Sequence, residues 1–445
     1  MRSKTLAHAV AMTAAEVAGS ACLFLPIASQ AQPVPPAQAS MPAAATLQEL
    51  TLQQALAQAD AANPALKAKQ AQLAAAEGAQ TDARALLFSN PQLSVDQTRR
   101  SVPLSGLGPE TRREWSAGLS QTLEIAGQRG HRRDAAAAAL SALRSEIEDA
   151  RRVVRTAVSE RFHRVLALQQ RVALEAEVGK LFDDTAAAIQ KRRAAGEDTR
   201  LDANIATVEA ERSRNQLVLA QEQLLDARAE LAATLQLPPG RLPQAVGALT
   251  LPQNNLSLGE LMASVEGQPR LRALQDRESS AAAKLRLEQA SVYPDLTVGL
   301  HVGREGPNDG RERLTALTLS VPLPLFKRNA GGIGQARSEL SQVQVERETS
   351  LRDARATVSA LWLKLNSLEL RVRRLQALML PALADNQSLS LKAQRAGQIG
   401  LLELIVVNRQ TLDARRDLND ALADYHATRH ALEAAAGLAL EGDHP

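Results

Sequence analysis

The second half of this chain repeats the first. Asn90-Pro91-Gln92-Leu93-Ser94-Val95 returns as Tyr293-Pro294-Asp295-Leu296-Thr297-Val298, and Leu119-Ser120-Gln121-Thr122-Leu123 as Leu319-Ser320-Val321-Pro322-Leu323. Arg193-Ala194-Ala195-Gly196 returns as Arg395-Ala396-Gly397. All three offsets fall between 200 and 203, so the order of the words is duplicated together with the words. A period this long duplicates a whole set of secondary-structure elements, and whatever one half builds the other builds again.

Within each copy the hydrophobic period changes in the same order. Helical stretches at about 65–87 and 270–290 lead to a proline. Alternation then takes over, with Leu93 and Val95, then Trp115, Ala117, Leu119 and Leu123 in the first copy. The second copy has Leu296, Val298, Leu300 and Val302, then Leu317, Leu319, Val321 and Leu323. Period two with one apolar face predicts strands at about 90–97 and 113–123, and at about 293–304 and 312–324. Strands of roughly ten residues have the length that crosses an outer-membrane bilayer; on pattern alone they fit a soluble hairpin equally well.

Long helical segments follow, 131–193 and 335–395. At 1.5 Å per residue each reaches roughly 90 Å, beyond any globular core. Leu361, Leu365, Leu368, Val372 and Leu375 keep the 4-3-4-3 spacing of a coiled-coil seam, and Val158, Phe162, Val165 and Val172 form a similar stripe. Gly196 and Gly397 break these helices, Thr199 or Asp198 caps the first returning one, and Pro381 is placed to bend the second long segment. The returning helices run over 200–235 and 401–437, the first stopped by Pro238-Pro239-Gly240. Each unit thus reads helix, strand, strand, long helix, tight turn, helix. Four strands cannot close a barrel, since single-chain barrels begin at about eight, so an oligomer has to complete it.

Composition narrows the rest. The chain is 45% hydrophobic, mostly Ala and Leu, with 2% aromatic residues, which favours helices and excludes disorder. The 52 basic residues against 49 acidic ones leave no excess for a dedicated nucleic-acid surface. Residues 1–31 read as an export signal: basic Arg2 and Lys4, an apolar stretch to Ile27, and Ser29-Gln30-Ala31 as the cleavage site. Residues 32–45 read as a Pro/Ala-rich linker. The units span 46–245 and 246–438, with a tail at 439–445. The lone cysteine, Cys22, lies in the signal, so disulfides, thiolate metal sites and cysteine nucleophiles are ruled out of the mature chain. Lipid attachment at Cys22 is an alternative, although Gly19-Ser20-Ala21 lacks the expected Leu. No later run of about 18 uncharged apolar residues exists to form a transmembrane helix, which leaves a closed β-barrel as the route into lipid.

This arrangement resembles the TolC family of outer-membrane factors over nearly the whole mature chain. Asn90-Pro91-Gln92-Leu93, Leu123-Glu124-Ile125-Ala126-Gly127-Gln128-Arg129, Tyr293-Pro294-Asp295-Leu296-Thr297-Val298 and Val321-Pro322-Leu323-Pro324-Leu325-Phe326-Lys327-Arg328-Asn329 are similar to the heavy-metal, cobalt–zinc–cadmium resistance branch. That branch usually has Gly-Gly where Ala126-Gly127 stands. The resemblance implies a mainly α fold with a small β part. Each chain would supply four transmembrane strands and a long helical stem to a homotrimer, whose twelve-stranded barrel lies in outer-membrane lipid above a coiled-coil tunnel. It also implies a periplasmic adaptor and an inner-membrane proton-driven pump of the resistance–nodulation–division class as partners, passive export of divalent heavy-metal cations, and no bound cofactor. Drugs or other organic molecules remain an alternative cargo. A soluble coiled-coil scaffold or periplasmic adaptor is the competing class, and it needs neither the strands nor the signal.

Asp202 and Glu403 occupy equivalent positions just past the hairpin tips, with Asp198 beside the first. In a trimer they make an acidic entrance suited to cations; alternatively they complement helix dipoles. Arg193, Gly196, Arg395 and Gly397 mark the tips where, by resemblance, the adaptor docks. His426 and His430 have the i, i+4 spacing of a metal pair, but no third ligand is fixed by spacing, so they are expected at the surface and no metal is assigned. His131, His163 and His301 are scattered. Gly331-Gly332-Ile333-Gly334 reads as a strand-to-helix joint rather than a phosphate cradle. No Gly-x-Ser-x-Gly elbow or His-Glu-x-x-His motif is present, and no enzyme is expected.

Overall fold

The computed structural model describes residues 46–103, 106, 108–252, 257–307, 310–396 and 398–438. The expected signal, linker, tail and Gly397 lie outside them. A short strand β1 (Thr46–Leu50) and helix α1 (Leu52–Ala62) precede α2 (Pro64–Arg84). The strands β2 (Gln92–Val102) and β3 (Glu110–Leu123) lead into α3 (Gln128–Ala194) and the returning α4 (Arg200–Thr234). A second short strand, β4 (Arg241–Ala245), and α5 (Leu258–Ser264) come next. Then α6 (Pro269–Ala290), β5 (Leu296–Glu305), β6 (Glu312–Ser320), α7 (Ala330–Arg374), α8 (Leu380–Arg395) and α9 (Leu401–Ala436) follow in the order set by α2, β2, β3, α3 and α4.

The local chemistry explains where these elements begin. Asn63 starts α2 by accepting from the backbone N–H of Ala65 at 2.9 Å and of Leu66 at 3.3 Å. Pro64 stands in the first turn, where no donor is missed. Both strand-to-helix joints turn on a left-handed residue at equivalent points of the two copies: Gly127 at φ 79° before α3 and Asn329 at φ 53° before α7. Asparagine is among the few residues besides glycine that enter this region readily. Here the Asn329 side chain is also held, its Nδ2 donating to the Glu288 carbonyl at 3.0 Å. The α3–α4 hairpin turns on Gly196 at φ 83°. This is the left-handed C-terminal stop expected of glycine.

Helix α3 has 67 residues. Its length is therefore about 100 Å. The second long segment is not one α-helix. Residues 375–379 form a single π turn just ahead of Pro381, whose missing N–H and bulky ring disrupt the regular ladder there. The disruption expected at Pro381 therefore takes the form of an inserted residue in the turn before it.

Three clusters hold the stem together. At the waist, Val158, Phe162 and Val165 of α3 pack with Leu231 of α4, Leu422 of α9 and Leu50 of β1. There β1 and β4 pair in parallel and tie residues 46–50 to 241–245, a pairing the periodicity did not announce. Above it, Leu365 and Leu368 of α7 meet Leu271 and Leu274 of α6 and Tyr425 of α9. Toward the tip, Phe182 and Ile189 of α3 close over Ala203, Ala206 and Ala210, whose short side chains let α4 lie close.

Candidate functional site

Four long strands form one antiparallel sheet in the order β2-β3-β5-β6, so the two halves of the chain meet at β3 and β5. The register places Leu93, Leu119, Leu300 and Leu317 in a single row, one from each strand. Directly opposed residues share a face, so this row is an unbroken apolar band. Its members are 74%, 54%, 52% and 77% exposed, and Val95 and Val302 extend it on the same face. No soluble core covers it.

One residue along, the opposite face carries Ser94, Gly118, His301 and Ala316. His301 lies so closely over Gly118 that a Cβ at this position would collide with the imidazole ring. The four strands are 9 to 14 residues long. Apolar residues on one side and small or polar ones on the other, over strands of that length, are the pattern of a membrane barrel wall. Among the described residues, β2 and β6 each have a neighbour on one side alone, leaving two long open edges.

Aromatic residues stand at the ends of the band. Phe88, Tyr293 and Phe326 are exposed at the helix-side ends of β2, β5 and β6, and Trp115 stands at the other end, paired with Arg304. Such rings prefer the headgroup level of a bilayer, apolar below and wet above.

At the far end of the stem, Asp202 completes the cap of α4. Thr199 Oγ1 donates to its carboxylate at 2.6 Å, and the Asp202 N–H donates back to that hydroxyl at 3.1 Å. Asp198 is paired with Arg192 at 3.1 Å. Arg193 is exposed in the last turn of α3, where basic side chains suit the helix dipole. Glu403 is exposed in the first turn of α9, whose cap, Gly400, offers no side chain. Arg395 ends α8, its side chain outside the described residues.

Between waist and tip, α3 and α9 are joined through a carboxylate that is 1% exposed. Glu175 accepts from Arg171 Nε at 2.6 Å and from Arg416 Nε and Nη2 at 2.7 and 2.5 Å. Burial alone would raise its pKa, but the two guanidiniums outweigh burial and hold it below the ordinary carboxylate range. Sequence periodicity gave no sign of this triad, since Glu175 and Arg416 are 241 residues apart.

The histidine pair departs from expectation. His426 and His430 are buried rather than at the surface, and His163, which looked isolated in the sequence, stacks on His426 with ring centroids 4.5 Å apart. Among the described residues, no helix is long and apolar enough to cross a membrane.

The profile of the outer membrane efflux protein family matches residues 52–235 and 263–438, once over each half of the chain. The chain belongs to this family. It is 28% identical over 299 residues to the cobalt-zinc-cadmium resistance protein CzcC of Cupriavidus metallidurans, an alignment covering 67% of this chain and 68% of CzcC. It is 24% identical to the pyoverdine export outer membrane protein OpmQ of Pseudomonas putida, over 64% of each. Its fold superposes on the crystal structure of CusC with a TM-score of 0.72 at 17% identity, covering 87% of this chain and 92% of CusC. Membership of the efflux family removes the soluble-scaffold reading. The mainly helical chain with a small share of strand is the fold of these channels.

Proposed function

We propose that three copies of this chain close a twelve-stranded barrel in the outer membrane, β6 of each joining β2 of the next, and that the repeated helical hairpins form the tunnel beneath. The sheet carries this reading. Its leucine row and aromatic ends suit lipid, and its two open edges suit strand addition. The assembly is a passive conduit, receiving cargo from a periplasmic adaptor and an inner-membrane proton-driven pump. The tips at Arg193, Gly196, Arg395 and Gly397 are the adaptor contact, and Asp198, Asp202 and Glu403 make the entrance acidic. Asp202 and Asp198 divide their charge between that role and the cap or ion pair each makes, so Glu403 is the freest to act on passing cations.

Divalent heavy-metal cations are the proposed cargo, supported by the likeness to CzcC. The likeness to OpmQ supports organic cargo as the second reading. Purified in mild detergent, the protein is expected to have the mass of three chains; a monodisperse single chain would overturn the assembly. Deleting the gene is expected to lower tolerance to cobalt, zinc, cadmium, nickel, copper or silver. Unchanged tolerance to all six together with lost resistance to organic toxicants would transfer the assignment to the second reading.

A further inference from the structure

Three histidines of this chain converge in the buried packing of α3 against α9. His163 on α3 and His426 and His430 on α9 are 8%, 5% and 0% exposed, and one ring nitrogen of each lies within 4.8 Å of the other two. His426 and His430 are one helical turn apart, so both rings leave the same face of α9. His163 stands 267 residues before His430 in the chain. In space it lies between the other two, stacked on His426 and 4.8 Å from His430 by ring centroids.

The surroundings prepare lone pairs rather than protons. The Thr250 carbonyl, a pure acceptor, is 2.9 Å from His426 Nε2, which places the proton on Nε2 and the lone pair on Nδ1. Glu433 Oε2 stands 3.4 Å from His430 Nδ1, and a carboxylate there favours the proton on Nδ1 and the lone pair on Nε2. That Nε2 is 3.1 Å from His163 Nδ1, which is also 2.9 Å from the Ser159 carbonyl. A single proton on His163 Nδ1 serves both contacts as a three-centre bond, and a metal ion shared by the rings takes the place of that proton.

We propose that His163, His426 and His430 form a binding site for one divalent transition-metal ion per chain, fixing α3 to α9 at the waist. Three imidazoles suit zinc, copper, nickel or cobalt and disfavour magnesium or calcium. Bonds of about 2.0–2.1 Å put nitrogens about 3.3 Å apart around a tetrahedral ion. The separation already present between His163 and His430 is 3.1 Å. The widest pair closes by about 1.5 Å through ring rotation. Three protein nitrogens leave a fourth position for water. Arg429 donates to Glu433 at 2.9 Å, and the Glu160 carboxylate acts on His430. The site is a resident one and does not depend on what passes through the channel.

The test uses the untagged full chain in detergent, stripped with chelator and titrated with Co2+ as an optical probe. One Co2+ per chain is expected, with the strong visible bands of tetrahedral nitrogen coordination, displaced by Zn2+. His163→Ala and His430→Ala are expected to abolish the bands, and Glu433→Gln to weaken Co2+ binding about 10–100-fold, as the loss of an outer partner of a metal-bound imidazole does. His301→Gln, on the sheet, is expected to change nothing. Absence of the bands in the wild-type protein overturns the proposal whether or not any variant folds. So does their persistence in the protein lacking all three imidazoles, or their loss in His301→Gln.

Discussion

Leu317 and Thr318 are neighbours on β6 with opposite fates in a membrane. Leu317 is 77% exposed in the leucine row, while Thr318 faces the other way and its Oγ1 donates to the Gly299 carbonyl at 3.2 Å. In water an exposed Leu→Arg change shifts stability by less than about 0.5 kcal/mol. At the middle of a lipid-facing barrel wall the same change costs about 2–4 kcal/mol. Leu317 shares its row with Leu93, Leu119 and Leu300, the centre of the apolar band, so the full figure applies. Three widely separated copies add, giving about 6–12 kcal/mol for a trimer, or several powers of ten in the assembled fraction. Leu317→Arg is therefore expected to abolish trimers in outer-membrane extracts analysed by native electrophoresis. Thr318→Arg, one residue on, is expected to retain them with a changed pore current. Equal recovery of trimers from both variants, or selective loss in Thr318→Arg, would refute the assignment of faces.

Removing the Glu175 side chain leaves Arg171 and Arg416 without their shared acceptor. Glu175→Ala is expected to lower stability by about 3–5 kcal/mol in thermal or denaturant melts. Because the folded pKa of Glu175 is depressed, its contribution is full above the ordinary value near 4.5 and is lost as pH falls through the lower folded value. Acid melts below about pH 4.5 are thus expected to be flatter in Glu175→Gln than in wild type. Gly118→Ala is expected to destabilise the sheet by about 1–3 kcal/mol through collision with His301, and His301→Ala is expected to restore it; an unchanged melting temperature in the single variant would contradict the contact. Glu403→Gln, which breaks no cap, is expected to lower the cation selectivity of the opened pore in bilayer recordings, whereas Asp202→Asn also costs α4 about 0.3–1 kcal/mol of helix-dipole stabilisation.

Much of the architecture was legible because it is written in local periods. The alternation of Leu296, Val298, Leu300 and Val302 announces a strand wherever its partner lies, and the structure has long strands at 92–102, 110–123, 296–305 and 312–320. Gly196 and Thr199 mark the tip turn through backbone conformation and capping alone. By contrast, β1 and β4 are short, β4 is interrupted by Pro243, and the two pair from opposite ends of the first repeat, so no window contains both. His163 does not stand out among its neighbours in the sequence, and its role exists only beside α9.

By itself, then, the sequence determined the type and order of the long strands and helices, because strand alternation, helix seams and turn residues depend on neighbours a few positions away. Tertiary structure decided which residues share a row, a triad or a buried cluster. Leu119 meets Leu300, Glu175 meets Arg416, and His163 meets His430, each pair drawn from opposite halves of the chain. Such contacts depend on how faces register when long helices and a shared sheet pack together, and no local period encodes that register.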